Sequence, residues 1–573
     1  MKKGIALLIA LLLIVPLSAG ALTAKYESLF QEGEILQIDF EVDDALWQQM
    51  LDHAMDKEVI CCNVTVNGNR YYSVGVNVRG NTSLAEIENG RYSLRVTFDE
   101  YVHQQSLQGL DKLLLNSLWG DPTYMKEYLS YSLFREMGVP APLCAYARVT
   151  VNGQDYGFML AVEAMETDFE ARAFSTEKGF LYKVETVGIN GLGLDRRIIP
   201  QERQRRGARD GFWHDFSDRS RPTVPTVTAS PEGDLPSPPP DGQKHEENGF
   251  FGDLNGADLA YKDDAPESYS AIFNGAEESY KPTDAARVIA ALKTLASGTD
   301  AEVSAAFDLD EIAAYFAVNS LIVNTDQYAG PLAHNYYLYE SGGKLSLLPW
   351  DYNSAFGSFA GNSAEAFIRF PIDRPTEPLP IEERPLLNRL FANEAWVQSY
   401  HDALLRALTL VEDGAFAARV SAIRALIAPY IRQETNPFYG FERFEEACDT
   451  LASLFPLRVE NVRARLEGTE PEPLDASTLP SLDSMNAREP GMEPPTSPLK
   501  GMAETNPQDA SVPEPPGPAE MPQPQGQPDA PPTGTDAQNP PSAPNGSNIW
   551  TVAVILLIAL LVVGLGMTLF KRK

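Results

Sequence analysis

Cysteine is scarce, with four residues (Cys61, Cys62, Cys144 and Cys448) in a chain of 573. None sits in a CxxC or Cys/His spacing, which excludes common zinc modules and thioredoxin-type redox motifs. At most two disulfides can form. Cys61 and Cys62 point to opposite faces of a strand, so a bridge would join one of them to a distant partner, and reduced, buried thiols fit equally. Histidine is also rare, at six, without HExxH, and no GxSxG elbow occurs. Basic residues are outnumbered 46 to 79, and the net charge of −33 argues against broad nucleic-acid binding, which needs cations to displace counterions. One basic run, 196–209, reads as a solvated loop flank or a dock for an acidic partner. The clustered glycines of GINGLGLD (188–195) are too irregular to count as a phosphate loop.

Long hydrophobic runs are confined to the two ends. Residues 1–21 carry Lys2 and Lys3, an apolar stretch from Ile5 to Val15 and Ala19-Gly20-Ala21, the pattern of a secretory signal with cleavage after Ala21 or Ala24. Residues 549–570 are almost unbroken apolar sequence followed by Lys571-Arg572-Lys573. At about 1.5 Å per residue such a run spans a hydrocarbon core of roughly 30 Å, with the basic tail (571–573) cytoplasmic. The expected topology is a single-pass protein whose body lies outside the membrane.

Aromatic residues are absent from 471–548, a Pro-rich stretch that cannot bury enough apolar surface to offset ordering entropy. It reads as an extended stalk. Residues 217–248 have similar composition and read as a disordered insertion within a folded domain over 25–470. The front of that domain alternates like strands in ILQIDFEV, VICCNVTVNG, YYSVGVNVRG and YSLRVTFDEY, with Asn-Gly turns. Helical spacing governs MKEYLSYSLFREMG, strands return over 145–165, and helices dominate from about 283. The class is α+β, with a β-rich front half and a mostly helical back half.

The most informative chemistry lies between Asn324 and Gly357. A helix from Leu309 to Val323 ends at Asn324-Thr325-Asp326. A loop then leads to Asn335, a hairpin YYLYE–SGGK–LSLLP follows, and Asp351 closes its second strand. Asp326 lies 9 positions before Asn335 and 25 before Asp351. This order brings the three side chains to one edge. Phosphoryl transfer needs one carboxylate to orient an attacking hydroxyl and oxygen ligands to hold a metal. Asp351 and Asn335 offer hard oxygens that suit Mg²⁺ or Mn²⁺. The same residues also suit helix caps, turns or a calcium site.

The passage NTDQYAGPLAHNYYLYESGGKLSLLPWDYNSAFG resembles the signature of the CotH kinase family of atypical secreted or spore-associated protein kinases. The resemblance continues in VNVRGNTSL (76–84), RYSLRVTFDEY (91–101), GLDKLLLNSLWGDPTYMKEYLSYSLFREMGVPAP (109–142), VNGQDYGFMLAVEAM (151–165) and GADLAYKDDAPESYSAIF (256–273). It implies a kinase-like two-lobed fold, a β-rich lobe closing over ATP and a helical lobe carrying the acids. By that match Asp326 is the catalytic aspartate and Asp351 the metal-binding one, with Asn335 and Asn353 completing the metal shell. Position 353 is Asn where some members carry Asp, one negative charge fewer.

On the nucleotide side Arg79, Arg95 and Lys183 compete for the phosphates. Arg79 stands where the family pattern is basic, and its guanidinium can grip phosphate through two bonds. Glu163 is the candidate acid to position that base. The implied activity is transfer of the ATP γ-phosphate, with Mg²⁺ or Mn²⁺, to Ser or Thr of surface, wall or spore-coat proteins. A non-catalytic coat-assembly protein and a wall- or carbohydrate-binding surface protein are the rival readings.

Overall fold

Valines and other apolar residues at alternate positions build the front half. The computed structural model describes residues 24–80, 82–174, 179–186, 254–359 and 363–486. Strands β1 (Ile35–Glu41), β2 (Ile60–Val66), β3 (Asn69–Arg79), β4 (Ser93–Thr97), β5 (Lys112–Asn116), β6 (Cys144–Val151) and β7 (Gln154–Glu163) form a closed barrel in the order β1-β2-β3-β4-β5-β7-β6. Parallel pairing of β6 with β1 closes the ring. The Asn67-Gly68 and Asn152-Gly153 turns both take positive φ, as two-residue hairpins require. Val64, Val76, Leu94, Leu113, Leu115 and Ala161 fill the barrel. Leu114, Leu160 and Val162 alternate with them and belong to the core of the second half. One side of the barrel is therefore buried on both faces.

That second half contains helices α1 (Lys126–Glu136), α2 (Leu309–Ile322), α3 (Glu394–Thr409), α4 (Ala415–Ile431) and α5 (Phe441–Leu466). It also contains a three-stranded antiparallel sheet of β8 (Phe180–Val184), β9 (Tyr336–Ser341) and β10 (Lys344–Pro349), with β9 central. Every described position of α2 from Ile312 to Ile322 is buried, the pattern of a helix enclosed on all sides. Helix α1 is nearly as enclosed and packs between barrel and helices.

A polar lock ties the two halves together. Arg91, two residues before β4, is fully buried and donates to Glu434 Oε1 at 2.6 Å and to Ser117 O at 2.9 Å. Glu434 also accepts from Phe158 N at 2.9 Å and Tyr124 Oη at 3.0 Å, while the Phe438 ring lies 4.3 Å from the guanidinium.

The mixed helix-and-sheet class agrees with the sequence pattern. The stalk boundary does not. Residues 471–486 are described and lie on the domain, with Leu482 and Met485 buried against α5. Ser481 caps a short 3₁₀ turn, Leu482–Met485, and the apolar pair Leu482 and Met485 supplies the burial that proline content had suggested was missing. All four cysteines are free, with Cys62, Cys144 and Cys448 buried and Cys61 exposed. The expected signal (1–21), the insertion (217–248), the remainder of the stalk, the membrane span (549–570) and the basic tail lie outside the described residues. Among the described residues no helix is long and apolar enough to cross a membrane.

Candidate active site

Helix α2 must end with its last carbonyls satisfied, because unpaired backbone groups in a buried helix terminus are costly. Two devices meet that need. Arg458 of α5, fully buried, donates to Ser320 O at 2.7 Å and to Leu321 O at 3.4 Å. The chain just past Asp351 returns to the same helix end, with Phe356 N on Ile322 O at 2.8 Å and Gly357 N on Val323 O at 3.1 Å. This return brings the Asp326 and Asp351 loops together. Between them, Tyr352 Oη donates to Asn319 Oδ1 at 3.0 Å.

The loop after α2 is tightly specified. Val323, a β-branched residue, has φ 48°, and Ala333, Asn335, Asp351 and Phe356 also take positive φ. Such conformations persist only where the surroundings over-determine them, and they concentrate at functional sites. A Cβ at Gly330 would lie 1.7 Å from Thr325 O, so only glycine allows this fold-back. Buried Arg384 donates to Tyr328 O at 2.8 Å and also to Gly330 O.

Asp326 is buried, and its Oδ1 lies 2.6 Å from His334 Nε2. Asn335 Nδ2 donates to Asp326 O at 3.1 Å, leaving its carbonyl oxygen as the available ligand atom. Burial works against a charge on His334. The Asp326 carboxylate, aided by Asp351 and Glu185, outweighs it and holds the imidazole above its ordinary pKa. Asp351 is exposed to solvent yet densely surrounded by protein, the combination found at the floor of a cleft. That crowding raises its pKa, as does the charge of Asp326, while Arg79, His334 and Lys183 oppose the rise.

Arg79 connects to Asp351 through a continuous relay. It donates to Asn116 Oδ1, Asn116 Nδ2 donates to Glu127 Oε2 at 2.7 Å, and Tyr131 Oη donates to Glu127 Oε1 at 2.9 Å. Asp351 N then donates to Tyr131 Oη at 3.1 Å. Arg79 also lies 5.7 Å, and Lys183 Nζ 6.0 Å, from the centre of the Trp350 ring. Two cations thus flank the residue that precedes Asp351, and Lys183 is paired with Glu185.

Three expected positions fall elsewhere. Glu163 does not meet Arg79. Its β7 register turns it to the barrel end, where Arg172 grips it at 2.8 and 2.7 Å, with Tyr26 Oη at 2.8 Å and Leu143 N at 2.9 Å. Asn353 is occupied in structure, with Nδ2 on Trp119 O at 3.3 Å and Oδ1 accepting from Ser354. Arg95 is exposed on the outer face of β4, paired across to Asn77, and its charge bears on Glu277.

The acid that sequence reasoning missed is Glu127. It is buried in α1 one turn before Tyr131, an i,i+4 pair that marks one helix face. A carboxylate inside the otherwise apolar MKEYLSYSLF was the available signal. Burial, then the nearby Asp351 charge, pushes its pKa up to about 7, against the Asn116 and Tyr131 hydrogen bonds and the Arg79 charge. A native acid with a raised pKa holds a proton that the unfolded chain has released. Its contribution to stability is complete below the ordinary value of 4.5 and is lost as pH rises through about 7. Glu127→Gln should therefore raise the unfolding free energy at pH 8, by on the order of 3 kcal/mol, and change it little at pH 4. Thermal scans of both proteins across pH check this; equal differences at the two pH values would refute the assignment.

The site so built lies where barrel residues meet the helical region, with Asp326 and Asp351 brought together and the charges of Arg79 and Lys183 acting on Asp351. The chain belongs to the CotH kinase family: the model described as CotH kinase protein matches residues 76–461. Over 371 residues, 64% of the chain, it is 21% identical to inner spore coat protein H of Bacillus subtilis (strain 168), covering 81% of that protein. A 60-residue stretch, 10% of the chain, is 40% identical to the inner spore coat protein H-like protein of the same organism and covers 20% of it.

Proposed function

We propose that this protein is an ATP-dependent protein kinase that transfers the γ-phosphate to Ser or Thr of surface, wall or spore-coat proteins. The observation that supports it best is the Arg79–Asn116–Glu127–Tyr131–Asp351 relay, which sets a barrel cation in register with the cleft carboxylates. Phosphoryl transfer depends on positioning and charge stabilisation more than on covalent chemistry, so such rigid registration is what the reaction needs.

Asp326 orients the substrate hydroxyl and takes its proton. His334 occupies Oδ1 and fixes the carboxylate, which leaves Oδ2 for the hydroxyl. Asp351 and the carbonyl oxygen of Asn335 are the hard donors that would hold Mg²⁺ or Mn²⁺, which when bound neutralises phosphate charge. Arg79 and Lys183 face the phosphates, with Arg95 further out on the same barrel side. Trp350 walls the cleft between the two inner cations. The sequence pattern of the two ends favours an exported protein, anchored by its C-terminal span.

The test is transfer of labelled phosphate from ATP to a generic Ser/Thr protein by residues 24–486, with Mg²⁺ or Mn²⁺. Incorporation supports the kinase reading. Absence of both incorporation and metal-dependent ATP binding sinks it and favours a non-catalytic coat-assembly role, a role consistent with the spore-coat names of the relatives.

A further inference from the structure

Lys126, the first residue of α1, is a fully buried cation with few partners. Its Nζ lies 3.8 Å from Asp121 Oδ1 and donates to Ser358 Oγ at 2.8 Å and to Met485 O at 2.6 Å. Burial lowers its pKa to about 8, with Asp121 acting against the fall and the Arg443 charge adding to it. A buried ammonium needs such acceptors, since an uncompensated charge in the interior is strongly unfavourable. One of the three comes from a segment beyond the family match, which ends at residue 461.

That segment is built into the domain. Leu482 is 3% and Met485 1% exposed, Ser484 Oγ lies 2.9 Å from Thr450 Oγ1, and Arg443 donates to Asp483 O at 3.1 Å and Asn486 O at 2.8 Å. Ser358, the other side-chain partner, follows directly on the Asp351 loop. Lys126 therefore joins three pieces: the helix bearing Glu127, the loop leaving Asp351, and residues 474–486.

We infer that residues 474–486 are a strap belonging to the active site, which fastens Lys126 and through it positions Glu127 and Asp351. Lys126 is a positioning residue and touches no substrate. The catalytic consequence rests on the kinase reading above, but the mechanical one does not.

The experiment uses the full chain carrying Leu482→Asp and Met485→Asp, which puts two carboxylates where apolar side chains are buried. A second form has a protease site in the exposed turn 468–473, cut after purification, so that the strap can leave a domain already folded. Hydrogen exchange read by mass spectrometry should show residues 121–130 exchanging about tenfold faster, the effect of losing one hydrogen bond to a buried charge. Acetic anhydride should label Lys126 only when the strap is out. If parent protein is active, kcat should fall by about a hundredfold with little change in KM, as for misplacement of reacting groups. Free exchange in the strap with unchanged protection at 121–130 and an unlabelled Lys126 overturns the inference. A parent that neither transfers phosphate nor binds ATP with metal, yet shows accelerated exchange, keeps the strap and rejects the kinase reading instead.

Discussion

Asp326→Ala should abolish phosphate transfer while leaving ATP binding in place. Asp326 is buried, its Oδ1 is held by His334 at 2.6 Å, and its other oxygen is the one free to receive a hydroxyl proton. Loss of a positioned general base costs about 10²–10⁴-fold in rate. Asp351→Asn should fail differently: metal-dependent ATP binding is lost, because the substitution removes the charge that a hard cation requires. Asp351→Asn should unfold no more readily than the parent, whereas Asp326→Ala also loses the ion pair with His334 and is expected to be somewhat less stable. Burial first, and then the charge of Asp326, raise the Asp351 pKa, so neutralising Asp351 removes a poorly solvated charge and its repulsion with Asp326. Labelled-ATP transfer, metal-dependent binding and thermal scans, run side by side, separate the two roles. Full transfer activity in either variant would overturn the assignment of that carboxylate.

Arg91→Leu should be the most destabilising single change away from the cleft. The Arg91 and Glu434 side chains are 0% and 2% exposed. Removing one partner leaves Glu434 charged and buried, with Phe158 N and Tyr124 Oη as its remaining donors. Breaking a buried pair from one side costs about 3–5 kcal/mol, whereas replacing both partners by apolar groups of similar volume is close to neutral. The double variant Arg91→Leu with Glu434→Leu should accordingly recover much of the lost stability. Denaturant midpoints for the two single variants and the double variant form the cycle that decides. A single variant within about 1 kcal/mol of the parent would show that the lock contributes little.

The lock bears on how the cleft works. Arg91 sits on the barrel and Glu434 follows α4, so the two halves are pinned through a buried charge on that side. Opening of the cleft by rigid rotation would have to break this pair or pivot on it. Substrate entry is expected to involve the loops around Asp326 and Asp351 more than a wide swing of the barrel.

Much of the fold and half of the site were legible from local pattern. The barrel strands carry alternation that any half-buried strand must show, and the Asn-Gly turns demand positive φ. The hairpin of β9 and β10 and its Gly342-Gly343 turn follow from the apolar run Tyr336–Tyr339, the leucines at 345, 347 and 348, and two glycines between them. Asp326, Asn335 and Asp351 lie within that one local unit, so their convergence could be read from the order of elements. Barrel closure could not, since it depends on β1 pairing with β6 about a hundred residues on, a long-range contact with no local signature.

What the sequence by itself determined is the type and order of the elements, the positions of the cleft aspartates and the basic character of Arg79 and Lys183, because each is written in neighbouring residues. The tertiary structure decided which acid serves which base. Glu163 and Glu127 are both carboxylates within a largely apolar strand or helix, but β7 register sends the first to Arg172 and helix packing sends the second to Asn116 and Tyr131. It also decided that residues 474–486 belong to the domain, since the acceptor for Lys126 lies 359 positions away from it. Buried charges choose their partners by what the folded chain places within reach, and that distance is not written in the spacing along the sequence.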